Sequence, residues 1–289
     1  MSWKDTYQVW KDRTDLEPKL KKELAAMHDD KEIEDAFYAP MSFGTAGMRG
    51  LMGPGINRMN VYTVRQATEG LATLMDSLGD EIKKRGVAIS YDSRHNSRQF
   101  AHDSARVLGT HGIKVYIYDN LRPTPELSFA VRHLHTYAGI MITASHNPKE
   151  YNGYKIYGED GGQMPPKESD MMTGYIRKIT DIFDIKLANE QELLDNGTET
   201  IIGEDVDAAY LADAKSVTVN PDLAKEYGKD MKFVFTPLCG TGRMVNGHYV
   251  KLALLTSPSN QPKHNQMVIS LVWNTLIQNS QKHLFVPLS

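Results

Sequence analysis

Ile142-Thr-Ala-Ser-His-Asn-Pro-Lys-Glu-Tyr-Asn-Gly-Tyr-Lys-Ile-Tyr157 is the stretch on which the reading of this chain turns. An apolar strand runs into Ala144-Ser145, whose small side chains let the backbone turn tightly and present a hydroxyl. Asn147-Pro148 continues the turn, and Asn152-Gly153 predicts a two-residue hairpin. In the strand that follows, alternation sends Lys155 and Tyr157 to one face and Tyr154 and Ile156 to the other. Lys155 is thereby returned towards Ser145, while Tyr154 and Ile156 read as core. A serine beside His146 and Lys155 has three readings. It is a hydrolase nucleophile, a serine that carries phosphate among cationic groups, or an ordinary turn serine. The first lacks the Gly-x-Ser-x-Gly elbow and an acid to orient the histidine. The second fits cations that offset charge on a transferring phosphoryl group.

Around this stretch the chain repeats strand, loop, helix. Val87–Tyr91, Lys114–Tyr118 and Ala138–Thr143 read as strands, with helices over Thr63–Leu78, Ser97–Gly112 and Thr124–His135. Such alternation predicts an α/β protein: a three-layer α/β/α domain with a largely parallel mixed sheet. Ligands then gather where the strands end, at Asp92–Arg98, Leu121–Pro125 and Ala144–Pro148. Residues 1–40 predict an amphipathic helical extension, and 43–55 a glycine-rich loop. Residues 166–182 read as helical, 184–202 as a polar connection, 203–227 as helical and Met231–Thr236 as a strand. The division expected is 41–195 for the first domain, 196–245 for the start of a second, incomplete α/β domain, and 246–289 as an anomalous tail.

The 289 residues carry a net charge of -3, which argues against nucleic acid as a partner. No apolar run is long enough for a membrane span, and the first residues lack a signal peptide's apolar stretch. Cys239 is the one cysteine, which fits a reducing cytoplasm and a lightly buried structural thiol. All 36 acidic residues lie at or before Asp230, so the last 59 have neither Asp nor Glu. A folded domain rarely changes composition so abruptly.

The segment Thr143–Lys155 resembles the phosphoserine loop of the α-D-phosphohexomutases almost letter for letter. Phe43-Gly-Thr-Ala-Gly-Met-Arg-Gly50 with Arg58-Met-Asn-Val-Tyr62 resembles the N-terminal loop of the phosphoglucomutase and phosphopentomutase branch. Tyr91-Asp-Ser-Arg-His-Asn-Ser97 and Arg122-Pro-Thr-Pro125 are similar to that family's other first-domain loops. The resemblance covers roughly residues 1–245. It implies that Ser145 is phosphorylated and that glucose 1-phosphate and glucose 6-phosphate interconvert through glucose 1,6-bisphosphate. Lys155 then matches the acid/base and Arg49 the arginine near the phosphoserine, with His146 in proton transfer or loop bonding. Thr45, Arg49, Ser145, His146, Asn147 and Lys155 would bind the phosphosugar, and Ser145 would ligate Mg²⁺ through its phosphate. Asp92, Arg94 and Arg122 are expected to order loops.

The chain departs from the family in having no Asp-x-Asp-x-Asp-Arg loop, from which the family takes its Mg²⁺ carboxylates. Glu204, Asp205 and Asp207 read instead as a solvated helix. After Gly240–Val245 the resemblance stops. Read one base back with permitted codons, Gln266–Leu271 gives Pro-Asp-Gly-Asp-Phe-Pro, a family-like segment. A frameshifted, truncated and inactive mutase is expected on this ground. The alternatives are phosphopentomutase or phosphomannomutase activity, or a non-catalytic phosphosugar-binding remnant. Oligomeric state is not legible.

Overall fold

The computed structural model describes residues 2–44, 47–228 and 239–242. Thr45, the strand expected over 231–236 and the tail 246–289 therefore lie outside the described residues. The chain divides into two compact units, 1–203 and 204–289.

In the first unit the helices run α1 (Trp3–Asp12), α2 (Pro18–Ala26), α3 (Asp30–Phe37), α4 (Val61–Leu78), α5 (Asp80–Arg85), α6 (Ser97–Thr110), α7 (Thr124–His133), α8 (Pro166–Ile176) and α9 (Glu190–Asp195). The strands are β1 (Gly47–Leu51), β2 (Val87–Tyr91), β3 (Val115–Tyr118), β4 (Ala138–Ile142), β5 (Tyr151–Tyr157) and β6 (Glu199–Ile202), in the sheet order β1-β5-β4-β2-β3-β6. β4, β2, β3 and β6 pair in parallel, and β1 and β5 are added antiparallel at one edge. Fully buried runs such as Val87-Ala-Ile-Ser-Tyr91 form the central strands because both faces are covered. On one face the Tyr154 hydroxyl accepts from Thr68 of α4, whose hydroxyl also meets Ser104 of α6. On the other, Gly139 lies against Val131 and Leu127 of α7. The layers are thus the expected α/β/α.

Three expectations need correction. Asn152-Gly153 is not a hairpin turn but lies inside β5, and the chain reverses before it, over residues 143–150. The stretch expected to be a polar connection contains α9 and β6, and β6 is an edge strand of the first sheet, paired with β3. The first compact unit runs to Gly203 and so includes β6. Cys239 is exposed, not lightly buried.

The N-terminal helices belong to the core of this unit. Trp10, 1% exposed, meets Phe37, Tyr62 and Phe183 edge to face, with ring centroids 5.7, 5.4 and 5.2 Å away. In the second unit α10 (Glu204–Ser216) and α11 (Pro221–Gly228) are described. The acidic trio is helical as expected, but Asp207 is buried at 7% exposure rather than solvated.

His111, capping α6, ties it to α4: Nδ1 lies 2.5 Å from Asp76 and Nε2 3.2 Å from Glu69. The Glu69 bond raises its pKa above the ordinary 6.5; desolvation opposes this and Asp76 adds to the rise. A folded pKa raised in this way gives stability that is fully present below 6.5 and lost as pH rises through the folded value. Melting temperature should fall by roughly 2–4 °C across that window, and His111→Gln should flatten the profile. Thermal melts from pH 5.5 to 9 check this.

Candidate active site

The loop between β4 and β5 is built from its backbone upward. Thr143 donates its N–H to the Gly153 carbonyl at 3.0 Å, and its Oγ1 accepts from the Ser145 N–H at 3.0 Å. Ser145 sits at φ 57°, a left-handed conformation that a residue with a Cβ adopts only when its surroundings impose it. Asn147 donates its N–H to the Ala144 carbonyl, and Tyr151 to that of Pro148.

Arg94, from the loop after β2, holds this turn from outside. Its guanidinium donates to the carbonyls of Ser145 (2.8 Å), Asn147 (2.6 Å), Pro148 (2.8 Å) and Tyr151 (3.1 Å). Asp92 pairs with Arg94 at 3.3 Å and accepts from Ser97 Oγ at 2.7 Å, so the clamp is itself positioned. Asn152 donates to the His95 carbonyl and to Ser97 Oγ, binding the same two loops together. The expectation that Asp92 and Arg94 order loops is met in these contacts. Arg122, fully buried, does the same in its own loop through Asp119 and Glu126. Arg94→Lys should destabilise by about 2–3 kcal/mol, because an ammonium cannot span four carbonyls. Amide hydrogen exchange across residues 145–151 should quicken with it.

Gly153 allows the close approach of β5 to this loop, since a Cβ there would lie 2.6 Å from the Thr143 carbonyl oxygen. Gly47, at φ +124°, does the same for β1, where a Cβ would lie 2.0 Å from the Tyr154 carbonyl oxygen.

Register places the two expected cations. Arg49 of β1 stands opposite Gly153, and Gly47 opposite Lys155. Directly paired residues share a face, so Arg49 and Lys155 leave the sheet on one side as diagonal neighbours, about 7–8 Å apart. Arg49 is exposed and Lys155 half-buried, and neither has an ion pair among the described residues. Two cations side by side without a counter-charge suit an incoming anion.

Ser145 and His146 are both exposed, with Oγ 3.4 Å from Nδ1, a long contact within the loop. The Asn147 Oδ1 is buried without a hydrogen-bond partner, and the residue's N–H helps to close the turn. As for Mg²⁺, the serine oxygen is the single expected ligand in the described residues, and no hydrogen bond joins it to a carboxylate. These residues do not make that ion's site by themselves.

Sequence reasoning missed a second cluster, His102, Glu190 and Glu199. Residues 190 and 199 fall in the supposed polar connection, and only the pairing of β6 buries Glu199.

Comparison with known proteins accords with this geometry. Residues 40–182 match the family described as phosphoglucomutase/phosphomannomutase, alpha/beta/alpha domain I. A phosphoglucomutase from Staphylococcus saprophyticus is 40% identical over 222 residues, which is 77% of this chain and 39% of that protein. The chain thus spans well under half the length of such relatives. A Thermus thermophilus protein assigned as a phosphomannomutase superimposes with a TM-score of 0.58 at 25% identity, over 76% of this chain and 45% of its own. The open form of parafusin from Paramecium, a phosphoglucomutase, shares the fold with a TM-score of 0.55 at 21% identity, over 75% of this chain and 42% of its own. Among the described residues no helix is long and apolar enough to cross a membrane. With its serine loop, cationic strands and sheet order, the chain carries domain I of the phosphoglucomutase/phosphomannomutase family.

Proposed function

We propose that this chain supplies the phosphoryl-carrying domain of a phosphoglucomutase, with Ser145 as the phosphorylated residue. The observation that carries the reading is the left-handed Ser145 at the tip of a loop clamped by Arg94. In the forward half-reaction the bond between phosphorus and Ser145 Oγ breaks, and a new one forms to O6 of glucose 1-phosphate. The proton of that hydroxyl passes to a base, for which Lys155 is the candidate. Glucose 1,6-bisphosphate turns over, and its other phosphate returns to Ser145, yielding glucose 6-phosphate. Arg49 offers a guanidinium fork to the phosphoryl oxygens as charge builds on them. Mg²⁺, when bound, would offset part of the same charge.

A coupled assay for glucose 6-phosphate tests this in a chain extended to the length of the relatives. Lys155→Met or Arg49→Ala should lower kcat there by about two to four orders of magnitude. A change confined to KM would mean binding alone and would remove the role. The 289 residues by themselves are expected to bind glucose 1,6-bisphosphate weakly without turning it over. Ribose 1-phosphate and mannose 1-phosphate, each followed through its own 5- or 6-phosphate product, decide the sugar.

A further inference from the structure

We propose that His102, Glu190 and Glu199 form a binding site for a divalent transition ion, Zn²⁺ foremost, which fastens β6 and α9 to α6. Each residue comes from a different element, and their ligand atoms all lie within 4.8 Å of one another. His102 Nδ1 is 2.6 Å from Glu190 Oε1. Glu199 is 2% exposed, and both of its carboxylate oxygens are buried with no hydrogen-bond partner.

That last fact points to a ligand. Buried polar groups are almost always satisfied, and an unpaired buried carboxylate is costly. Burial, with Glu190 adding its repulsion, pushes the Glu199 carboxyl up to about 7. Either a proton or a cation can relieve such a group. A second carboxylate and an imidazole within reach favour the cation, because a proton on Glu199 needs neither. The donor set chooses the ion. One imidazole nitrogen with two carboxylates suits Zn²⁺, whereas Mg²⁺ and Ca²⁺ take oxygen ligands. With bonds of roughly 2.0–2.2 Å, tetrahedral ligands stand about 3.4 Å apart. Binding therefore opens the His102–Glu190 contact slightly and draws Glu199 in. Water completes the shell from a polar cleft lined by Arg94, Asn96, Arg98, Gln99, His102 and Glu190, which is also the ion's way in. The cleft reaches Arg94, which holds the serine loop, but none of the three ligands takes part in the phosphoryl-transfer reading.

The test uses the 289-residue protein, stripped with chelator and titrated with zinc chloride in a calorimeter. One equivalent should bind and raise the melting temperature, while magnesium chloride at equal concentration does neither. Glu199→Gln and Glu190→Gln should each weaken that equivalent at least ~10-fold and abolish the thermal shift. Glu199→Gln keeps the shape of the side chain, and circular dichroism checks its fold. Should it fail to fold, Glu190→Gln, at a part-exposed helix start, carries the comparison. Absence of zinc binding by the parent, or equal binding by the folded variants, overturns the proposal.

Discussion

Ser145→Ala is expected to leave the protein folded and to remove its ability to hold a phosphoryl group. The side chain is exposed, and the contact its Oγ makes is the 3.4 Å approach to His146, so little packing is lost. What disappears is the atom that carries phosphate between the two half-reactions. In a chain of the relatives' length kcat should drop by about 10⁴-fold or more, as expected when a covalent carrier is deleted. Peptide mass spectrometry after incubation with glucose 1,6-bisphosphate should find phosphate on the Ser145 peptide of the parent and none on the variant. Retained turnover in the variant would exclude Ser145 as the carrier.

Trp10→Ala is the substitution expected to cost the most stability. The indole is buried among Phe37, Tyr62 and Phe183, residues that belong to α3, to α4 and to the segment after α8. Nothing nearby can refill the space, because Tyr62 is held by the Glu17 N–H at 2.9 Å and Phe183 by Arg13 above its ring. The cavity and lost contact should cost about 3–5 kcal/mol, and the melting point should fall by roughly 10 °C. A loss under about 1 kcal/mol would mean that the N-terminal helices dock only loosely. Urea denaturation followed by tryptophan-independent circular dichroism measures it.

The central fold was legible because its signals are local. Val87–Tyr91 and Ala138–Ile142 are apolar runs between helices, and both are strands. What failed was non-local. Asn152-Gly153 carries the composition of a tight turn, yet Asn152 is bonded to another loop and Gly153 is needed where two carbonyls approach. Local propensity was outweighed by those contacts. Glu199-Thr-Ile-Ile reads as polar because of its first residue, and its pairing with β3 lies far along the chain. For the site, Ser145, Arg49 and Lys155 were legible from the loop and strand sequences. The four-carbonyl clamp of Arg94 was not, since backbone acceptors leave no mark in the identity of the residues that offer them. The pair Glu190–Glu199 was hidden for the same reason as β6.

The left-handed backbone at Ser145 has a consequence for how this position behaves under mutation. A residue with a Cβ held there costs of order 1 kcal/mol relative to glycine. Ser145→Ala keeps that cost, and Ser145→Gly relieves it. The glycine variant should therefore be the more robust fold and chemically silent. Selection on folding alone would erode the serine, so its persistence in any lineage records continued demand for the hydroxyl.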